Sequence, residues 1–352
     1  MKFPFSVVAT LFFAVALNAQ QQQQPAQKPL LACGMQGDVE ILCGTRSPED
    51  LEQTPDGKFL ILGEFVNARN APPSGHLVFF DLAKKTYANA PVTAQPLKAW
   101  GDPACPGFPG ETLTPHGISL SKRAGGKWQL YVVNHAGRES IEMYELAKTN
   151  NAWSLIWHGC VVSKQAFNDV AALPDGSFIA TNPTALQTPQ TNLFSGEPSG
   201  YVSRWTAAAG ESELPGTRQG YPNGVLVSAD GKFMYFNAWT AKEVHKYDLK
   251  TMRETGKVKL NFMPDNITWT KRGHLLAAGV IDARGQCADR GLACQQAFGV
   301  AVIDPATMHA KDVYDSGSKP LINGVSVALQ VGDSVYAGAF GGDRLVKFNW
   351  RE

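Results

Sequence analysis

Apolar and polar positions alternate in short runs along this chain, and one arrangement of them recurs. The stretches TPDGKFLIL at 54–62, LPDGSFIAT at 173–181 and SADGKFMYF at 228–236 share one design, with TKRGHLLAA at 270–278 a weaker copy. In each, a Gly-containing turn leads into an apolar run of strand length, the signature of an antiparallel hairpin. Strand-like segments such as HLVFFDL, YVSRWT, EVHKYDL and GVAVIDP follow, and no convincing helical periodicity is found beyond the N-terminal leader. Clear copies stand about 55 residues apart, or about twice that where a copy is degenerate, which makes roughly six units. Units of three or four strands at this period read as blades whose radial closure protects the sheet edges. The predicted fold is all-β, a six-bladed β-propeller occupying residues 33–352 as a single domain.

The N-terminal segment has a different grammar. Lys2 precedes a nearly continuous apolar stretch from Phe5 to Leu17, and Leu17-Asn18-Ala19 suits a signal peptidase, so residues 1–19 read as a cleavable leader and 20–32 as a polar Gln/Pro-rich linker. The mature protein is expected to be exported, to the periplasm or the medium, without membrane insertion. Leu30-Leu31-Ala32-Cys33 has the letters of a lipidation box, but Gln20 to Gln24 and Pro25 separate it from the apolar segment. Six cysteines in an exported chain favour disulfides, with 15 possible connectivities for three bridges. Cys33–Cys43 and Cys287–Cys294 are plausible short loops, leaving Cys105 and Cys160 to each other or free. With 32 basic and 31 acidic residues and no long basic run, nucleic acid is not expected as a partner.

Polar pairs stand at the head of the innermost strand of several units, where a propeller would bring them to one axis. Glu49-Asp50, Asn168-Asp169, Asn223-Gly224 and Asp265-Asn266 each precede a hairpin. Any one pair could hold a turn through local backbone hydrogen bonds. Four pairs in register offer a set of carboxylate and amide oxygens, the donors a hard cation takes, and calcium accepts more of them in looser geometry than magnesium does. Burying several carboxylates together without a cation is costly. His116 stands just before another apolar strand, and Asn134-His135 ends the next, so the two histidines are partners across one hairpin and candidates for proton transfer. His76, His158, His245, His274 and His309 lie in strand or turn contexts with no oxygen-rich neighbours and read as ordinary.

These residues carry a resemblance. LTPHGISL, YVVNHAGRESIEMYEL, FNDVAALPDGSFIATN, YPNGVLVSADGKFMYF and MPDNITW resemble, in the same order, the paraoxonase family of calcium-dependent lactonases and arylesterases, within the gluconolactonase and strictosidine synthase-like propellers. The likeness runs from about Glu49 to Phe348. It implies two calcium ions in the channel. A catalytic ion would be held by Glu49, Asn168, Asn223, Asp265 and Asn266, and a structural ion by Asp50, Asp169 and the backbone carbonyl of Ile118. It also implies a His116–His135 dyad, with His116 nearest the substrate, that activates water against a lactone or aryl ester. Asp265 as base or nucleophile is the rival within the same site. Phosphotriester cleavage is a conceivable side activity.

Departures from the family narrow what carries over. The last cysteine is Cys294, so no cystine can join the two ends of the chain and closure is expected by strand pairing. The insertion PTALQTPQTNLFSGEPSGY is polar, which removes the basis for lipid association. That insertion and DPACPGFPGETLTP before His116 are expected to shape access to the site, and the NIT sequon at Asn266 is a false one if Asn266 is a ligand. A calcium-stabilised binding platform and a sugar-lactone hydrolase of the gluconolactonase type remain alternatives. Oligomeric state is not legible.

Overall fold

In the computed structural model, which describes residues 29–65, 75–187, 193–281 and 297–352, six small sheets stand in a ring as a six-bladed β-propeller. The leader, the first part of the linker, Cys287, Cys294 and residues 188–192 of the polar insertion lie outside the described residues. Blade 1 comprises β3 (Pro48–Gln53), β4 (Phe59–Glu64), β5 (Leu77–Asp81) and β6 (Thr86–Asn89). Blade 2 runs β8 (Pro115–Lys122), β9 (Trp128–Asn134), β10 (Ser140–Thr149) and β11 (Ala152–Val162), with β7 (Val92–Ala94) added in parallel at its rim. Blade 3 is β12 (Val170–Ala172), β13 (Phe178–Asn182), β14 (Tyr201–Thr206) and β15 (Gly210–Glu213); blade 4 is β16 (Pro222–Val227), β17 (Phe233–Ala238), β18 (Glu243–Asp248) and β19 (Arg253–Lys259). Blade 5 is β20 (Met263–Trp269), β21 (Leu275–Val280), β22 (Phe298–Ile303) and β23 (Ala310–Asp315).

The sixth blade is made from both ends of the chain. Strands β24 (Asn323–Val331), β25 (Ser334–Gly341) and β26 (Arg344–Asn349) are completed by β2 (Val39–Cys43) and β1 (Gly34–Gln36). Val39 pairs with Phe348, Ile41 with Val346 and Cys43 with Arg344. Closure is therefore by strand pairing, as the cysteine positions require. The repeated turns fall between the first two strands of blades 1, 3, 4 and 5, and the degenerate copies belong to blades 2 and 6.

Each blade packs on its two neighbours, so its central strands, such as β4, β9, β13, β17 and β21, are buried on both faces and read as apolar runs rather than as alternation, while outer strands such as β6 and β19 are largely exposed. Six hydrophobic clusters result, one at each blade interface. Between blades 2 and 3, for example, Tyr131, Val133 and Met143 meet Phe167, Phe178 and Trp205, with Phe178 stacked on Trp205 at 5.4 Å. Between blades 6 and 1, Leu345 and Val327 meet Leu60 and Phe80. Fully burying such a side chain stabilises the fold by about 1.5–3 kcal/mol.

Among the described residues, two cystines pin the periphery. Cys33–Cys43 ties β1 to β2, and Cys105–Cys160 ties the long segment before His116 to β11. Their sequence separations are 10 and 55 residues. Loop-closure entropy then assigns about 3 kcal/mol to the first and about 4 kcal/mol to the second. The Cys105→Ala/Cys160→Ala protein is accordingly expected to lose more stability in chemical denaturation than Cys33→Ala/Cys43→Ala; equal losses would show that native packing, not chain entropy, sets the contribution.

Candidate active site

The innermost strands β3, β8, β12, β16, β20 and β24 surround the axis, each the edge of its own sheet. Their free backbone groups cannot pair sideways as a sheet, and buried N–H groups must find acceptors. Acidic side chains from neighbouring blades supply them. Asp50 Oδ2 accepts from Ile118 N at 2.7 Å, Glu52 Oε1 from Leu120 N at 2.8 Å, and Asp169 Oδ2 from Val225 N at 2.7 Å. Asn237 and Ser326 donate in turn to the carbonyls of Asp265 and Glu49. Close approach of the strands is what requires glycine at two positions. A Cβ on Gly117 would come within 2.5 Å of Asp169 Cα, and one on Gly224 within 2.6 Å of the Asp265 carbonyl.

At one end of the channel, a pocket of about 250 Å³ is lined by Glu49, His116, Asn168, Asn223 and Asp265, with walls from Phe65, Leu193, Tyr221, Trp239 and Phe340. Asn266 stands beside it and donates from Nδ2 to Glu49 Oε1 at 2.9 Å. Asp50, Asp169 and Ile118 line a larger cavity, about 710 Å³, toward the other end, together with Glu52. The polar pairs thus divide: Glu49 and Asn168 serve the first pocket, Asp50 and Asp169 the second. Among the described residues, neither set of lining residues includes a Lys or Arg.

Four buried oxygens at the first pocket have no hydrogen-bond partner among the described residues: Glu49 Oε2, Asn168 Oδ1, Asn223 Oδ1 and Asn266 Oδ1. All four belong to residues singled out in the sequence. Unpaired buried acceptors are costly unless something outside the chain meets them. Asp50 and Asp169 are better satisfied, each accepting two backbone N–H groups; a carboxylate still has lone pairs to spare. Among the described residues no group of three His, Cys, Asp or Glu side chains has metal-binding spacing. Three of the five residues proposed around the first pocket's ion are asparagines, so that set is mainly amide.

Without a counter-charge, burial governs these carboxyls. It holds Asp265 up at about 8, against a hydrogen bond from Asn223, and Asp50 at about 7, against the N–H groups of Ile118 and Leu51. Glu49 is raised well above the carboxylate range by burial and then by Asp265, Asp50 and Asp169. Asp169 is raised by burial and then by Asp50.

The two histidines meet as their hairpin placement predicts. His116 Nδ1 lies 2.8 Å from His135 Nε2, and His135 Nδ1 lies 2.6 Å from Glu139 Oε2. His116 Nε2 is 3.6 Å from Glu49 Oε1. Phe65 stacks on the His116 ring at 4.5 Å and fixes its plane. Burial, then His135, depresses the His116 pKa well below the ordinary range, which keeps it neutral. Asn134, fully buried, binds Thr114 N, Ala136 N and O, and Arg138 O, and so holds the His135 hairpin in place.

Of the five histidines read as ordinary, none lines the pocket. Three nonetheless have carboxylate partners, which corrects the expectation of oxygen-poor surroundings. His158 meets Glu145, His245 meets Glu243 and Glu254, and His274 meets Glu352. Strand pairing and chain closure, not sequence adjacency, bring most of them together. The sequence reading missed Glu139, whose only signal is its position four residues after His135. It also missed Ser326 and Tyr221. Tyr221 lines the pocket with φ of 55°, a strained value for a bulky residue, while its N–H donates to Ser199 Oγ at 2.8 Å.

A cage of oxygens beside a histidine pair, inside a six-bladed propeller, is the setting in which relatives become informative. The sequence profile named Arylesterase matches residues 50–280. The chain belongs to the arylesterase (paraoxonase) family. Human serum paraoxonase/lactonase 3 is 26% identical over 279 residues, covering 75% of this chain and 73% of that protein. Human serum paraoxonase/arylesterase 1 is 24% identical over 271 residues, 73% of this chain and 70% of that one. Among solved structures, a luciferin-regenerating enzyme aligns over 88% of this chain and 94% of its own, with a TM-score of 0.52 at 14% identity, a likeness of fold alone. Membership of the paraoxonase family makes the protein an ester-hydrolysing enzyme for small molecules.

The raised carboxyls fix the sign of a pH effect. Asp50 and Asp265 bind protons in the folded state that the unfolded chain has already released between about pH 4 and 8, so folding stability falls as pH rises through that window. In chelator-treated paraoxonase-family protein, the thermal midpoint is expected to decline from pH 5 to pH 8; a flat profile would show that these carboxyls ionise normally in the folded state.

Proposed function

We propose that the protein is an exported, calcium-dependent hydrolase of lactones and aryl esters. The observation that carries this reading is the coincidence, at one pocket, of four unpartnered buried oxygens with a neutral histidine whose second nitrogen is held by another histidine. The donors fit calcium: Glu49, Asn168, Asn223, Asp265 and Asn266 offer only oxygen, and two carboxylates would balance the ion's charge. Asp50, Asp169 and the Ile118 carbonyl would hold a second, structural ion. Bound at the first set, calcium supplies Lewis-acid stabilisation of the negative charge that grows on the ester carbonyl oxygen.

The chain's own residues do the rest. His116 Nε2 takes a proton from water, whose oxygen bonds to the carbonyl carbon. As the bond from carbon to the leaving oxygen breaks, the proton on His116 passes to that oxygen, leaving acid and alcohol, or a hydroxy acid when the substrate is a lactone. Phe65 and His135 keep the His116 ring in place throughout. The aromatic walls, Phe65, Tyr221, Trp239 and Phe340, favour an apolar or aryl substituent beside the scissile bond. The relay behind His116 favours it over Asp265 as the base, since His116 is backed by His135 and Glu139, whereas the side-chain partner of Asp265 is the Asn223 amide. Two cystines and the apolar leader expected at residues 1–19 support export.

Hydrolysis of phenyl acetate and a panel of lactones by the purified mature protein should vanish on chelation and return with calcium. A folded, calcium-loaded protein inactive on the whole panel would instead favour a binding role. Asn168→Ala is expected to weaken calcium binding and to lower activity on the order of a hundredfold. His116→Gln should cost about 10² to 10⁴ in turnover with calcium affinity near that of the wild type. An active His116→Gln enzyme would rule the histidine out as the essential base.

A further inference from the structure

Behind the two histidines lies a third group. Glu139 Oε2 is 2.6 Å from His135 Nδ1, and Glu139 sits on the four-residue turn His135–Arg138 plus its own position, just before β10. Its neighbour Arg138 does not compete for it: that guanidinium forms a fork with Glu142, with Nε to Oε1 at 2.9 Å and Nη2 to Oε2 at 3.0 Å. The turn is pinned by the Asn134 side chain and by the bond from Ser163 N to the Glu139 carbonyl, not by the Glu139 carboxylate.

A carboxylate only accepts hydrogen bonds, and a neutral imidazole has one donor nitrogen and one acceptor. Against Glu139, His135 must carry its proton on Nδ1. Its Nε2 is then bare and accepts from His116 Nδ1–H across 2.8 Å. The Nε2 of His116, on the pocket side, is left bare in turn. Glu49 does not reverse this order, because its oxygen is 3.6 Å from His116 Nε2, beyond hydrogen-bond reach, and that same oxygen accepts from Asn266. Without Glu139 the opposite order is equally available, with His135 donating from Nε2 and His116 left carrying its proton on Nε2, where it cannot act as a base.

We propose that Glu139 is the positioning residue that sets the proton order of the histidine pair, so that His116 presents a lone pair to the pocket. The proposal rests on the hydrolase reading for its effect on turnover, but not for the proton order itself. The direct test is imidazole nitrogen NMR on histidine-labelled, calcium-loaded protein, with the His116→Gln and His135→Gln variants giving the assignments. The wild type is expected to show His135 and His116 both protonated on Nδ1. Glu139→Ala should shift one or both toward Nε2–H and lower kcat for phenyl acetate at least about tenfold, with KM and calcium affinity unchanged. Wild-type protein with His135 protonated on Nε2, or a Glu139→Ala protein whose proton order is unchanged, would overturn the proposal. Should His116→Gln prove fully active, the dyad reading of the hydrolase fails, and the spectra alone still decide what Glu139 does.

Discussion

The structure depends on a problem at the axis: six innermost strands converge there, and each is the open edge of its sheet. Bare N–H groups on such strands need acceptors that a neighbouring blade can deliver without becoming a seventh strand. Asp50, Glu52 and Asp169 deliver them from one blade to the next, to Ile118, Leu120 and Val225. The solution gathers carboxyls in a buried channel where, among the described residues, no Lys or Arg lines either cavity. Burial then raises their pKa values. The stitching of the blades and the crowding of carboxyls along the channel are therefore one property seen twice.

The pocket inherits its character from this arrangement. Glu49 and Asn168 adjoin the stapling residues Asp50 and Asp169 in sequence, so the groups that line the pocket are held by the groups that join blades. Gly117 and Gly224 make room for that contact, and the strain at Tyr221 is held within the same ring of strands. Chemistry and architecture are not separate layers here.

Much of this was legible in the sequence, for identifiable reasons. The Gly turns repeat because four hairpins are built alike, three of them with Asp-Gly, so blade number followed from spacing. The polar pairs were visible because apolar strands make them conspicuous. Cys33–Cys43 was readable from its short loop, whereas Cys105–Cys160 was left open because it spans 55 residues and several strands. Glu139 was hidden in an ordinary turn, where a glutamate signals nothing until the hairpin folds its carboxylate onto His135. The carboxylate partners of His158 and His274 come from other strands or the chain end, 13 and 78 residues away, and only pairing reveals them. Ser326 donates to the Glu49 carbonyl across a separation of 277 residues, a contact no local pattern announces.

The shared sixth blade has a consequence for how the chain reaches this state. Its strand Val39–Cys43 is synthesised near the beginning but finds its partner, Arg344–Asn349, only at the end, so Glu40 and Lys347 meet across 307 residues. Such long-range pairing has a high loop-closure cost and slows folding. Blades 1 to 5 can form their hairpins in order while the early strand waits with an unpaired edge, a surface prone to join the wrong chain. Completion of the ring is thus a single late event that converts five local assemblies into one cooperative unit, and it brings blade 6 up against blade 1 and the Glu49 end of the pocket.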